Sequence, residues 1–193
     1  MGVVTITELL GLDEYESHRP EIQNELMLLR QTLRLSLGSI MSLAFENRRT
    51  VWYQIQEMLR IEKIFEPLAI EEEILAYNPL IPDGTNWKAT LMFEYPDPLE
   101  RNQALANMTG IEHQVWTQVD GFEKNFANAN DDLDRTNENK TAAVHFLRFE
   151  FNNEEIDAMK NGEHIELGID HELLDYTVQL IGPERTSLIQ DFD

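Results

Sequence analysis

The chain has 193 residues with 36 acidic and 15 basic side chains, a formal charge of −21, and no cysteine. That composition excludes disulfides, thiolate metal sites, a cysteine nucleophile and a thiolate-held iron–sulfur cluster. It also makes a poor match to phosphate backbones and anionic membrane surfaces, so neither nucleic acid nor membrane is an expected partner.

In chain order, Thr7 is placed to cap a short helix through Leu12. Arg19-Pro20 opens a longer one, with Leu26, Leu29, Leu33 and Leu37 inward and Gly38 as its stop. Ser39 to Phe45 reads as a strand. After the turn Glu46-Asn47-Arg48-Arg49-Thr50, Thr50 caps a central helix near 51–66. A further helix covers Ile70 to Ala76. Lys88 to Tyr95 is a strand, Asp97 caps a helix through Met108, and Val115 to Val119 is a strand. The stretch near 120–141, rich in Asn and Asp, reads as a long loop. Ala143 to Phe151 is the clearest strand and Asn153 to Lys160 a short helix. Ile165 to Ile169 and Thr177 to Ile181 alternate as strands, and Pro183 opens a last helix. Strands and helices interleave without the long crossovers of a parallel sheet. The expected fold is a single α+β domain over 1–193, a mostly antiparallel sheet with helices packed on it.

The chemistry centres on the helix near 51–66. Glu62 falls among Val51, Ile55, Met58, Leu59 and Phe65 at three-, four- and seven-residue spacings. A carboxylate in an apolar face must pair, bind a metal, keep its proton or reach solvent. Glu57 lies between Ile61 and Ile64 on a second apolar arc, with Arg60 beside it. Two apolar sides fit burial between sheet and helix or contact with a second subunit, a homodimer. Arg30, Arg34, Arg48 and Arg49 are available to pair with Glu57 and Glu62. The other reading is a carboxylate held for proton transfer or a metal.

His145 shares a strand face with Leu147, Phe149 and Phe151, as a hydrogen-bonded core residue or as a ligand or base. Arg148 and Glu150 share the opposite face, placed for a buried pair with the helix carboxylates. Glu94 ends a strand beside Tyr95-Pro96. Lys88 shares its strand face but lies roughly 20 Å away at about 3.3 Å per residue, too far to pair. The catalytic candidates are therefore Glu57, Glu62, Arg60, His145 and Arg148. The metal candidates are Glu62, Glu94 and His145, whose oxygen and imidazole donors favour Fe, Mn or Zn. His18, His113, His164 and His171 stand in polar contexts expected at the surface. No zincin pair, phosphate loop, dinucleotide fingerprint or serine elbow occurs. No leader segment is visible, which makes the cytoplasm the expected compartment.

The motifs Phe45-Glu46-Asn47-Arg48, Tyr53-Gln54-Ile55-Gln56-Glu57-Met58-Leu59-Arg60-Ile61-Glu62 and Tyr77-Asn78-Pro79-Leu80-Ile81-Pro82-Asp83-Gly84 resemble a bacterial domain-of-unknown-function family, number 3501. So do Lys88-Ala89-Thr90, Glu94-Tyr95-Pro96-Asp97-Pro98 and the run from Lys140 to Phe149. In that family the genes tend to lie near those of rubrerythrin-like and iron–sulfur oxidoreductase proteins. The resemblance thus implies a non-catalytic accessory protein of a redox or oxidative-stress system, with one of those proteins as partner. The carboxylate/His metal site or enzyme stands as the alternative.

Overall fold

The computed structural model describes residues 2–129 and 141–192. Its architecture is α+β, with six α-helices and nine strands among the described residues. Helix α1 (Leu12–Thr32) is followed by β1 (Arg34–Leu37), β2 (Met41–Phe45), α2 (Arg48–Glu62), α3 (Pro67–Tyr77), β3 (Asn86–Phe93) and α4 (Pro98–Ala106). Then come β4 (Val115–Val119), β5 (Asn125–Phe126), β6 (Asn128–Ala129), β7 (Val144–Glu150), α5 (Asn153–Lys160), β8 (Ile165–His171), β9 (Leu174–Gln179) and α6 (Gly182–Ile189).

The strands form two antiparallel sheets rather than one, in the orders β1-β2-β3-β7-β6 and β5-β4-β8-β9. Alternation decides their faces. In β3 and β7 every second side chain is buried, so Leu91 and Leu147 point inward while Thr90 and Arg148 do not. The inner faces of both sheets merge into one apolar core with Leu43, Trp87 and Phe149 on one side and Val115, Ile165 and Leu167 on the other. The stretch near 120–141, expected as loop, contains β5 and β6, and these pair with different sheets. The chain changes sheet at Ala127, whose amide donates to the Val115 carbonyl at 2.9 Å. The remainder of that expectation, residues 130–140, lies outside the described residues. At the opposite edge Gly38, at φ +70°, turns the β1–β2 hairpin beneath the Tyr176 ring.

Helices α1, α2 and α3 build a second, smaller core of Tyr15, Ile22, Val51, Ile55, Leu59 and Ile74. Helix α1 begins at Leu12, not at Arg19-Pro20. Pro20 sits on its exposed side, as does Glu16, the residue whose carbonyl loses its i+4 donor to the proline. Leu33 ends this helix and Leu37 belongs to β1, so Gly38 closes a hairpin rather than a helix. Asn47 caps α2 instead of Thr50. Its side chain accepts from the Thr50 amide at 3.0 Å while Thr50 Oγ1 accepts from the Asn47 amide at 3.0 Å, a reciprocal box. The C-cap Lys63, at φ 54°, stops α2 at Glu62. The helix expected to touch the sheet on one side is instead flanked by α1 and α3.

On the outer face of the second sheet, Gly168 pairs in register with Trp116. A Cβ added at Gly168 would lie 2.4 Å from Trp116 Cζ2 and 2.6 Å from the Tyr176 carbonyl oxygen. Backbone cannot retreat as a flexible side chain would. Gly168→Ala is expected to lower unfolding free energy by about 1–3 kcal/mol in urea titrations, and an unchanged midpoint would show that the indole has room to tilt.

Candidate functional site

The two helix carboxylates have opposite fates. Glu57 is largely enclosed, with its side chain 15 % exposed, and takes donors from three residues. Arg19 grips it bidentately, Nε to Oε1 at 2.8 Å and Nη2 to Oε2 at 2.9 Å. Arg60 Nη2 donates to Oε2 at 3.1 Å, and Tyr15 Oη donates to Oε1 at 2.8 Å. The Arg19 hydrogen bonds outweigh the opposing effect of burial, and with help from Arg60 and Tyr15 they hold the Glu57 carboxyl down at about 2. Such a carboxylate is a poor proton acceptor at neutral pH, and its lone pairs are taken.

Arg19 was not among the arginines expected to answer Glu57. The signal is present in the sequence: Arg19 occupies the stripe Tyr15, Arg19, Ile22, Leu26 at spacings of four, three and four, so it faces inward with the apolar residues. Glu62, expected inside an apolar face, is exposed. The helix stops there, and Phe65 is itself 66 % exposed, so the apolar face that buries Val51, Ile55 and Leu59 does not extend around Glu62.

The metal set does not assemble. Glu62 stands at the end of α2. Glu94 lies beyond β3 on the outward face, where Ser42 Oγ and Arg34 Nη2 both donate to its Oε1. Those contacts, Ser42 first, hold its carboxyl below the usual range. His145 pairs in register with Leu91 on the inward face and is fully buried. Among the described residues no three of His, Asp and Glu converge as a metal site would require. Arg148 lies 2.7 Å, Nε to Oε1, from Glu150 of its own strand face, and both are more than 40 % exposed. The expected buried pairing with the helix carboxylates is absent because α2 is flanked by helices. Lys88 Nζ donates to the carbonyls of Pro79 and Ile81, each at 2.7 Å, and burial depresses its ammonium. His18, His113 and His164 are exposed and His171 is half-buried, as expected of surface residues.

What the fold does enclose is a polar cluster of Glu112, Thr141 and His145, all 1 % exposed or less. His145 comes from β7, Glu112 from the 3₁₀ turn Ile111–Gln114 before β4, and Thr141 from the approach to β7, where its amide donates to the Leu105 carbonyl at 3.1 Å. Thr141 Oγ1 donates to Glu112 Oε2 at 3.1 Å and stands 2.9 Å from His145 Nε2. The same Nε2 is 2.9 Å from the Ala142 carbonyl, which can only accept, so Nε2 carries a hydrogen. His145 Nδ1 faces Glu112 Oε1 at 3.8 Å. Hydroxyl, imidazole and carboxylate are thus in sequence, as in a nucleophile–base–orienter relay. Here, however, the hydroxyl hydrogen is directed to the carboxylate and the imidazole hydrogen to a carbonyl, and no face of the cluster meets solvent. In this arrangement it is a network that locks the start of β7 to the turn before β4. Glu112 and Thr141 were missed in the sequence because neither lies in a periodic element.

An open cleft of about 460 Å³ lies at the N-terminus of α2, lined by Glu8, Asn47, Arg48, Arg49 and Trp52. Arg48 there binds the Gly2 and Val3 carbonyls and Glu8, while Arg49 pairs with Glu25 at 3.1 Å and stacks 4.4 Å over the Trp52 ring.

A protein-family model described as a protein of unknown function, DUF3501, matches residues 3–192. Among solved structures, the crystal structure at 1.90 Å of a novel protein of unknown function from Burkholderia pseudomallei K96243 is similar, with 38 % identity, a TM-score of 0.90 and 100 % of both chains covered. A search of the curated proteins finds no match.

The geometry at Glu57 sets a sign for acid stability. Its carboxyl is held below the ordinary value of 4.5, so the pairing contributes fully above that value and is lost as pH falls toward about 2. Glu57→Gln is expected to cost about 2 kcal/mol at neutral pH and to flatten the decline in stability between pH 4.5 and 2. Urea titrations at a series of pH values check both. Parallel acid profiles for wild type and variant would mean that Glu57 is not what the protein loses in acid.

Proposed function

The chain belongs to the DUF3501 family, and from that premise we propose that it is a non-catalytic accessory protein of a bacterial redox or oxidative-stress system, one that docks its partner on an acidic sheet face. The observation that carries this reading is the outer face of the second sheet. Glu166, Asp170 and Asp175 project from β8 and β9 into solvent, and the strand register sets Asp170 directly opposite Asp175. Like charges facing across a ladder work against folding, and only Asp170 has a local answer, in Lys124 at 2.7 Å. A face with such an excess of negative charge raises association rates with a basic surface and fixes its orientation.

Of the carboxylates marked for chemistry, Glu57 and Glu94 are occupied by arginine and hydroxyl donors and Glu62 is exposed at the end of α2, which favours a binding role over a catalytic one. The family resemblance directs the choice of partner to a rubrerythrin-like protein or an iron–sulfur oxidoreductase.

The test mixes the purified chain with a rubrerythrin-like protein from the same organism at micromolar concentration and low salt. A complex is expected by sedimentation and calorimetry. It should weaken roughly tenfold between about 20 and 200 mM NaCl and weaken again in a Glu166→Gln, Asp175→Asn variant. The absence of any complex with either partner class, or one indifferent to salt and to the variant, would overturn the proposal.

A further inference from the structure

The last turn of the described chain holds a carboxyl group that the docking reading does not use. After α6, residues Gln190–Phe192 fold back as a 3₁₀ turn against β3. Phe192 stacks on Trp87 with centroids 5.4 Å apart and meets Phe151 edge-on at 5.5 Å. Trp87 Nε1 donates to the Leu188 carbonyl at 2.9 Å, and Lys160 Nζ donates to the Phe192 carbonyl at 3.0 Å. Between these anchors Asp191 is 1 % exposed, and its Oδ2 is enclosed with no hydrogen-bond partner.

An ionised carboxylate cannot remain in such a place without a compensating donor. The charged groups on the surrounding elements are directed elsewhere. Lys160 of α5 is turned to the Phe192 carbonyl. Arg185 of α6 donates to the Glu163 and Met159 carbonyls at 3.1 and 2.6 Å. Beneath the turn, β3 presents Trp87. Burial raises the Asp191 carboxyl to about 7, against a smaller opposing pull from the chain's amino terminus.

We propose that this turn is a pH-sensitive latch: Asp191 holds a proton while the turn is docked, and ionisation frees Phe192 from the Trp87–Phe151 cluster. The proton passes to solvent as the turn opens, and the released carboxylate is then hydrated. Because the docked form binds the proton more tightly than the open one, closure is fully favoured below the ordinary carboxylate range. That advantage is lost as pH rises through about 7.

Amide hydrogen exchange at residues 188–192 of the full chain, corrected for intrinsic rates, reads the opening equilibrium directly. From pH 5 to 6 the opening constant is expected to rise about tenfold, then less steeply through pH 7, and to level off near pH 8, while amides of β7 stay unchanged. Asp191→Asn copies the protonated shape and should keep the turn protected at every pH. Should the variant fail to fold, the wild-type profile alone decides. A flat opening constant between pH 5 and 8, or one in which β7 opens in parallel, overturns the latch.

Discussion

A carboxylate taken partly out of water must find its compensation inside the protein, and Glu57 finds it in Arg19, Arg60 and Tyr15. Two of these donors come from α1 and one from α2, so the charge can be satisfied only when the helices are docked. Removing one partner would leave a cation or an anion stranded against the small core of Tyr15, Ile55 and Leu59. Polar bonds to the N-terminal residues extend the same logic. Gln56 Oε1 accepts from the Leu10 amide at 2.7 Å, Trp52 Nε1 donates to the Glu8 carbonyl at 3.0 Å, and Asn78 brackets both backbone groups of Val4. The helical layer is therefore fixed as much by directed bonds across α2 as by its modest apolar content.

The larger core follows a different rule. Strand alternation supplies two apolar faces that need only meet, and His145 is the one imidazole that alternation drives into them. Its burial is made tolerable by Thr141 and Glu112, which arrive from separate segments and satisfy both ring edges or face them. Thr117, buried on β4 with an unbonded hydroxyl, has no comparable arrangement, and nothing in the structure explains it.

How much of this was legible depends on the range of the interaction that decides each feature. Val115–Val119 and Asn153–Lys160 match their expected limits because period-two alternation and an Asn152 cap are local signals. The outward position of Arg148 and the inward one of His145 follow from the same alternation. The start of α1 was misread because Pro20 is a helix opener by local rules, and only its exposed position in the fold makes it tolerable eight residues inside. Glu62 was misread because a spacing argument assumes the helix continues, whereas Lys63 ends it. The division into two sheets was not legible at all. It is made at Ala127, between two-residue strands too short to register as a pattern. The partner of Glu57 was readable, since Arg19 keeps step with the buried stripe, whereas Arg30, Arg34, Arg48 and Arg49 do not reach it.

Charge is divided between the layers in the same way as the packing. Residues 1–65 carry seven Lys/Arg against nine Asp/Glu, and residues 66–193 carry eight against 27. In the first part most of the arginines are spent locally, Arg19 and Arg60 on Glu57, Arg48 on Glu8 and Arg49 on Glu25, while Arg34 crosses to Glu94 of the second part. Its field therefore largely closes on itself. In the second part acids outnumber bases more than threefold, and among the described residues Glu166 and Asp175 stand on an open sheet face with no ion pair of their own, the Lys124–Asp170 pair being the one beside them. Long-range attraction is set by uncompensated charge rather than by total charge. A basic surface approaching the second sheet would therefore meet carboxylates that their neighbours only partly neutralise, whereas the richest polar chemistry of the described residues lies in the helices and in the buried cluster around His145.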